Sequence, residues 1–295
     1  MNLSVKGKTC YANIGLFYAA AIWGSTFFVV KQALDNIDPV ILVGYRFILA
    51  AVIMAIPLIL LKKRLRDNLK DGLILGLLLW ILYVAQTIGL KYTTAANSGL
   101  ITGLFVAFVP VFSIVIFRMM PSITAVIATV ISIIGLWILT GGLKQINIGD
   151  LLTLITAVTY AIHILYADKF IKRGADPYIL SFQQFAFVGL ASLLTGVLFK
   201  LPFAIGTAEA FGMMIFLAIF PSLTAFAIQL IAQRHVSPVR VSLILAFEPV
   251  FAVIFAWTLG NEAYSLNKAI GGFLIFLALV ISGLPSRKIR LGGRQ

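Results

Sequence analysis

The sequence predicts an all-α polytopic membrane protein with ten transmembrane helices, arranged as two inverted five-helix repeats with both termini in the cytoplasm. Its mean hydropathy is +1.06, 61% of its 295 residues are hydrophobic and only 11% are charged. Soluble domains carry about 25% charged residues. Three further observations predict the architecture: the chain has ten apolar segments, its Lys and Arg residues are distributed asymmetrically, and one sequence pattern occurs twice.

Each of the ten apolar segments is long enough to cross a bilayer, whose hydrocarbon core of roughly 30 Å needs about 20 helical residues. The longest polar segments are residues 62–71 and the C-terminal tail, so we expect no separate soluble catalytic domain. We number the segments span 1 to span 10, and they cover residues 14–34, 40–61, 72–90, 94–117, 122–141, 150–168, 178–199, 210–231, 238–259 and 266–284.

The basic residues sort by side of the membrane. With the N-terminus placed in the cytoplasm, seventeen of the 23 Lys and Arg residues lie on the inner side and four on the outer side, while Lys31 and Arg46 fall within spans. Cytoplasmic loops are enriched in Lys and Arg. The pattern therefore predicts a multi-pass protein of the plasma (bacterial inner) membrane. The net charge of +13 is explained by topology and by contact with anionic membrane lipid, and we expect no nucleic-acid partner.

A repeat with an offset of 138 residues relates the two halves of the chain. Asp38-Pro39 aligns with Asp176-Pro177, and "FVPVF" at 108–112 aligns with "FEPVF" at 247–251 at an offset of 139. Each half, 1–141 and 142–295, then has five spans. Because five is odd, the second half crosses the membrane in the opposite orientation. Inverted repeats can present a site near the midplane to each side of the membrane in turn.

These segments resemble the EamA-like branch of the drug/metabolite transporter superfamily, a group of ten-helix permeases. The matching residues are "AAIWGSTFFVVKQAL" in span 1, "YRFILAA" in span 2, "GLKYTTAANSGLITGL" leading into span 4, the two proline-containing frames, and "WTLGNEAYSLNKAIGGFLIFLALVISG" through span 10. The resemblance implies movement of small organic metabolites such as amino acids, through a central cavity lined by spans 1, 3, 4, 6, 8 and 9.

Two positions depart from the family pattern. The segment "RMMPSITA" at 118–125 stands where the family often has a glycine-glutamate turn like Gly260-Asn261-Glu262. Tyr160 stands in span 6 where tryptophan is frequent. Neither departure changes the family resemblance, and neither identifies a substrate.

Polar and aromatic side chains recur at helical spacing within several spans. Steps of three and four residues place side chains on one helix face, and polar groups at membrane depth need a buried or wet surface. Such a stripe either lines a cavity or forms hydrogen bonds between helices, and the sequence leaves both interpretations open. The candidate cavity residues are Trp23, Thr26, Tyr83, Gln86, Asn97, Ser98, Thr102, Tyr160, His163, Phe226, Gln229 and Glu248.

Glu248 is the carboxylate nearest the middle of a predicted span, ten residues or about 15 Å into span 9. A charge at that depth costs roughly 2.5 to 3.5 kcal/mol on insertion scales. Three roles are open: an ion pair with Arg46 or Lys31, a contact to a substrate amine, or proton uptake and release during transport. His163 is a second proton-coupling candidate or a packing residue. Arg46 and Lys31 are predicted to be structural residues near the outer interface.

Together these features predict a secondary transporter for a small-molecule substrate, an amino acid or a related compound, with proton coupling left open. The alternatives are an exporter of cationic drug-like compounds and an uncoupled facilitator or channel. No enzyme activity is expected, because one deep acid, one deep histidine and no Gly-x-Ser-x-Gly frame supply no catalytic set. One cysteine and two histidines predict no disulfide and no metal site. Without a Walker motif, no nucleotide is expected, nor any other cofactor, and the sequence leaves the oligomeric state open.

Overall fold

The computed structural model describes residues 5–142, 146–258, 264–282 and 284. The turn Gly260-Asn261-Glu262, with which the segment 118–125 was compared, lies outside these ranges, as does the basic tail after residue 284. Within them the chain forms thirteen α-helices and one π-helical segment: α1 (Val5–Ala33), α2 (Pro39–Leu60), α3 (Leu69–Tyr92), α4 (Ala95–Gly103), α5 (Phe105–Val115), α6 (Ile123–Thr140), α7 (Ile148–Lys172), α8 (Pro177–Leu198), α9 (Ala208–Leu217), the π segment (Ala218–Ala225), α10 (Phe226–Ala232), α11 (Pro238–Leu245), α12 (Glu248–Thr258) and α13 (Leu266–Ser282).

The helices have the lengths and composition of a polytopic membrane protein. Within the described ranges, eight stretches are long and apolar enough to cross a bilayer, and they correspond to spans 1 to 4 and 6 to 9. Spans 5 and 10 correspond to shorter apolar helices, Ile123–Leu139 and Leu266–Ser282. Large apolar side chains cover much of the outer surface, as expected where lipid replaces water.

Three of these stretches are interrupted. Span 4 divides at Leu104 into α4 and α5, and span 9 divides at residues 246–247 into α11 and α12. Pro249 explains the second break, because it has no N–H to donate to the carbonyl of Leu245, and α11 ends at that residue. Span 8 contains the π segment, which includes Pro221. Nothing in the sequence near Leu104 predicts the first break.

The turns before α2 and α8 share one local structure. In each, an aspartate precedes a proline at the first helical position, and its Oδ1 accepts a hydrogen bond of 2.9 Å from the backbone N–H two residues later. Proline suits this position, since its φ is preset and its missing N–H would have no helical partner. The aligned Asp-Pro turns at residues 38–39 and 176–177 thus begin helices in the same way.

Long helices pack in three pairs: α2 along α8, α3 along α7, and α6 along α13. In the first pair a Cβ on Gly44 would lie 2.7 Å from the Leu193 side chain, and one on Gly189 would lie 2.7 Å from the backbone nitrogen of Ile48. Residue 44 therefore faces 193 while 48 faces 189, so α2 and α8 run antiparallel. Glycine is required here because the two backbones approach so closely.

Contacts at the two ends of the α2–α8 pair are equivalent. At one end the Tyr45 hydroxyl donates to the carbonyl of Phe203 at 2.8 Å. At the other end Nε2 of Gln183 donates to the carbonyl of Leu65, also at 2.8 Å. Donors and acceptors are each 138 positions apart. One further contact has no counterpart: Nζ of Lys63 lies 3.1 Å from Oδ2 of Asp176, whereas the positions 138 away from this pair hold a leucine and Asp38.

Candidate functional site

A buried cavity lies where the middle of α1 meets α3, α7, α10 and the break between α11 and α12. It has a volume of about 30 Å³, room for one or two water molecules. Its walls combine aromatic rings, hydroxyl groups, one basic side chain and one acidic side chain. The lining residues are Trp23, Thr26, Phe27, Val30, Arg46, Leu82, Tyr83, Gln86, Thr87, Leu90, Thr102, Thr156, Tyr160, Phe226 and Glu248.

Four aromatic rings, those of Trp23, Tyr83, Tyr160 and Phe226, form one surface of the cavity, called the aromatic floor below. The ring centroid of Phe226 lies 4.8 Å from that of Trp23 and 5.8 Å from that of Tyr83. Tyr160 meets Trp23 edge-on at 6.1 Å. Rings at these separations attract one another through their edges and faces, so they form a rigid apolar surface.

The π segment fixes two of the cavity's polar groups. Nε1 of Trp23 donates to the carbonyl of Pro221 at 2.9 Å, and the Ser222 hydroxyl donates to the carbonyl of Leu217 at 2.9 Å. Ser222 also accepts a hydrogen bond of 2.8 Å from Nε of Arg46. The π segment therefore holds both the indole and the guanidinium, in keeping with the frequent occurrence of π-helical turns at functional sites.

Arg46 lies inside the helix bundle, and its predicted depth near the outer interface stays a prediction. It is 2% exposed, and its guanidinium carbon lies 4.8 Å from the Tyr83 ring centroid and 5.4 Å from that of Phe47. Cations attract aromatic faces at these distances. The repeat contained a signal for this position, since the aligned residue Gln184 is also polar. In the structure Gln184 is fully buried as well.

Glu248 is the first residue of α12 and is 7% exposed, on the cavity. Its backbone carbonyl packs against α1, where a Cβ on Gly24 would lie 2.5 Å from it. Within the described residues, the carboxylate forms no ion pair within 4 Å. The two cations predicted as partners bind elsewhere: Arg46 to Ser222, and Lys31 through Nζ to the carbonyl of Thr93 at 2.7 Å. The predicted structural ion pair is therefore not formed in this structure.

Eight of the twelve candidate residues lie on the cavity: Trp23, Thr26, Tyr83, Gln86, Thr102, Tyr160, Phe226 and Glu248. The other four lie apart from it. Asn97 and Ser98 stand in the first turn of α4, and the fully buried Ser98 hydroxyl has no partner in the described part of the chain. Sequence reasoning missed Arg46, two threonines, Thr87 and Thr156, and the apolar members of the wall. The apolar members are of the same residue types as those facing lipid.

His163 and Gln229 form a polar layer behind the aromatic floor. Both are fully buried. Gln229 accepts a hydrogen bond of 3.0 Å from the hydroxyl of Tyr160, and Nε2 of His163 lies 2.9 Å from Oε1 of Gln184. In this structure these two side chains contact other helices rather than the cavity. The described residues contain no cluster of His, Cys, Asp and Glu that could hold a metal ion.

Comparisons with known proteins agree with this architecture. The model of the EamA-like transporter family matches residues 11–141 and, a second time, residues 147–284. The chain belongs to the EamA-like transporter family. This confirms the resemblance found in the sequence.

Several relatives of this EamA-like chain cover nearly its whole length. An uncharacterized transporter of Archaeoglobus fulgidus is 32% identical over 94% of the chain and 87% of the relative. The uncharacterized inner membrane transporter YedA of Escherichia coli is 27% identical over 90% of the chain and 89% of the relative. A solved crystal structure that is 18% identical superposes with a TM-score of 0.78 over 93% of this chain and 96% of the other, which shows a shared fold.

Proposed function

We infer that this EamA-like protein is a secondary transporter that carries a small zwitterion, an amino acid or a related compound, across the plasma membrane. The observation that carries the proposal is the placement of Arg46 and Glu248 on one buried cavity with no ion pair between them. An amino acid has one carboxylate and one ammonium group and so complements both charges. Charge-assisted hydrogen bonds of this kind are about twice as strong as neutral ones.

The same charges argue against the main alternative. A drug-like compound that carries only positive charge would meet Glu248 favourably, but it would also face the buried guanidinium of Arg46. Placing like charges together at a binding surface costs several kcal/mol. The aromatic floor suits the apolar part of either ligand. We therefore favour a zwitterion, and we expect the compound to cross the membrane chemically unchanged rather than to be turned over.

We propose alternating access between two inverted five-helix repeats, residues 1–141 and 142–295, as the mechanism. In this proposal the two shorter apolar helices, α6 and α13, also cross the membrane, and with the eight long stretches they make ten membrane helices. Two observations support the repeat: the family model matches the chain twice, on either side of residue 142, and residues 138 positions apart make equivalent hydrogen bonds at the two ends of the α2–α8 pair.

With both termini in the cytoplasm, the cavity lies between the midplane and the outer side. Its lining residues come from the second halves of α1 and α3, which then point outward. The Lys63–Asp176 ion pair closes the inner end. Because the cavity has room for only one or two water molecules, substrate binding requires the lining helices to move apart.

A substrate-by-variant experiment tests the zwitterion. Purified protein is first screened by thermal shift against amino acids, amines that lack a carboxylate, and cationic dyes, since a ligand of the folded state raises its stability. Counterflow of the best ligand in proteoliposomes then tests carrier behaviour. We expect Arg46→Gln to weaken amino-acid binding by roughly 10- to 100-fold but to strengthen amine binding, because it removes the like charge, and we expect Glu248→Gln to weaken both.

Glu209→Gln is the matched control, because it removes a carboxylate from an exposed first turn of α9, away from the cavity. Arg46→Lys retains the charge if Arg46→Gln fails to fold. Preferred binding of cationic dyes, or equal effects of Arg46→Gln on amino acids and amines, would contradict the zwitterion. Absence of counterflow together with a very high unitary flux would indicate a channel. A response to an imposed pH gradient that disappears in Glu248→Gln would add proton coupling to the role of this residue.

A further inference from the structure

A second concavity lies on the outside of the bundle, away from the cavity. It is a groove of about 670 Å³ between α8, the start of α3 and the loop that precedes α3. Ligand sites commonly have volumes of roughly 300 to 1,000 Å³. Leucine, phenylalanine and alanine side chains form most of its walls, and the two polar exceptions, Arg66 and Gln183, stand together at one end.

Positive charge collects at that end. The segment 62–71 contains five basic and two acidic residues, a net charge of +3. Lys63 is engaged by Asp176, and Asp67 and Asp71 lie in the same segment. Arg66 is the one basic residue of the segment that lines the groove, and its side chain is exposed.

The backbone on either side of Arg66 is held in place by the groove wall. Nε2 of Gln183 donates to the carbonyls of Leu65 and Asp67, at 2.8 and 2.9 Å. The glutamine is 4% exposed, and its Oε1 has no hydrogen-bond partner among the described residues. The backbone position of Arg66 is thereby fixed at one end of the groove, next to a buried acceptor without a donor in the described part of the chain.

The apolar part of the groove has the length of a lipid chain in one leaflet. Its α8 wall runs from Phe182 to Leu194, which is about 18 Å at 1.5 Å per residue. Half of a hydrocarbon core of roughly 30 Å is about 15 Å. Leu190 and Leu194 are 62% and 59% exposed, so the groove is open sideways to the bilayer over this length.

We propose that this groove binds one acidic phospholipid, with its phosphate paired to Arg66 and an acyl chain lying along α8. A basic side chain attracts the anionic lipid headgroup, while the leucines bury the chain. The site is separate from the cavity and does not depend on the transported compound. Its occupant joins the α2–α3 loop to α8, the same elements that the Lys63–Asp176 ion pair connects.

Lipid-dependent thermal unfolding in a neutral detergent tests the proposal. The protein is titrated with phosphatidylglycerol and with phosphatidylcholine of the same acyl chains. We expect saturable stabilisation by phosphatidylglycerol at lower concentration than by phosphatidylcholine. Arg66→Gln should raise the apparent Kd for phosphatidylglycerol about fivefold, the usual contribution of one basic residue at an anionic surface.

Arg64→Gln is the matched control, because Arg64 belongs to the same exposed loop but does not line the groove. It should leave the Kd unchanged. Ala186→Phe, which fills the groove without altering charge, should weaken binding as Arg66→Gln does, and Arg66→Lys should retain binding. Equal losses in Arg64→Gln and Arg66→Gln would overturn the proposal and indicate diffuse attraction of the anionic lipid to the basic loop. Equal stabilisation by the two lipids would also overturn it, because it would show that the headgroup charge is not recognised.

Discussion

The Trp23 indole shows how one hydrogen bond fixes a wall of the cavity. Trp23→Phe keeps an aromatic ring but removes the donor to the Pro221 carbonyl, which is left buried without its partner. An unsatisfied buried group costs about 1 to 3 kcal/mol. We expect a lower unfolding temperature and weaker substrate binding in this variant, measured by thermal unfolding with and without ligand.

Trp80 provides the control for this prediction. Its Nε1 is buried and has no partner among the described residues, so Trp80→Phe removes a donor that makes no hydrogen bond. We expect this variant to be less affected than Trp23→Phe. An equal loss of stability in the two variants would show that ring size, and not the hydrogen bond, matters at Trp23.

Asp176 is a residue whose charge can be read from the pH dependence of stability. Burial raises the pKa of this carboxyl. Hydrogen bonds from Lys63 and the Tyr178 N–H lower it, and so do the positive charges of Lys63 and Arg234. The lowering effects are larger, so the pKa lies below its ordinary value. Such a group stabilises the folded protein above an unfolded pKa of about 3.9, and this stabilisation is lost as pH falls through the folded value.

The substitution Asp176→Asn isolates this effect, because asparagine caps a helix as well as aspartate does. We expect the difference in unfolding temperature between wild type and variant to be largest near about pH 6 and to shrink below about pH 4. Asp67→Asn, which removes a charge that forms no ion pair in the described part of the chain, is the control. A difference for Asp176→Asn that stays constant with pH would contradict the prediction.

Single residues also show how far the sequence could predict the site. The depth of Glu248 followed from counting residues into an apolar span, and the structure places it on the cavity. Arg46 could not be placed in this way, because its distance from the span end fits both an interfacial and a buried side chain. Its partner Ser222 is 176 positions away, and such a contact exists only once the helices have packed.

Among the elements, the contact between α1 and α12 positions Glu248. A Cβ on Gly24 would lie 2.5 Å from the Glu248 carbonyl and 3.0 Å from the backbone nitrogen of Ala252. Backbone atoms cannot rotate away as a side chain can. We expect Gly24→Ala to force the helices apart, with a loss of stability of about 1 to 3 kcal/mol, and to reduce transport, measured by thermal unfolding and counterflow.

Gly212→Ala in α9 is the matched control. A Cβ there meets nothing within 4 Å, and alanine is favoured over glycine in a helix by roughly 0.5 to 1 kcal/mol. This variant should be as stable as wild type or more so. Normal stability and transport in Gly24→Ala would show that α1 and α12 can separate without consequence.

The sequence predicted which segments are helical better than it predicted where those helices are interrupted. Apolar length and the Asp-Pro turns predicted the helices and where α2 and α8 begin. The proline in "FEPVF" accounts for the division of span 9, because it cannot donate to the carbonyl of Leu245. The break at Leu104 and the π segment were not predicted, because a change of hydrogen-bond register leaves the apolar composition of a span unaltered.

At the scale of the whole molecule, the α2–α3 loop and the start of α8 must separate if the inner end opens. A short bis-maleimide between Lys63→Cys and Asp176→Cys, in a Cys10→Ser background that removes the chain's one cysteine, should stop counterflow. The two single-cysteine proteins, treated in the same way, should transport normally. Full transport by the cross-linked protein would show that these segments stay together throughout the cycle.

The Lys63–Asp176 ion pair has no equivalent at the other end of the α2–α8 pair, and this bears on the conformation that the protein adopts without substrate. In a carrier whose two ends are related by an inverted repeat, equivalent contacts contribute equally to its two end states and cancel. The equilibrium between those states is then set by the contacts that have no counterpart. Lys63–Asp176 is such a contact. An exposed ion pair contributes roughly 0.2 to 1 kcal/mol, which shifts a two-state population at most about fivefold. A single surface ion pair can thus bias which side of the membrane an unloaded transporter faces.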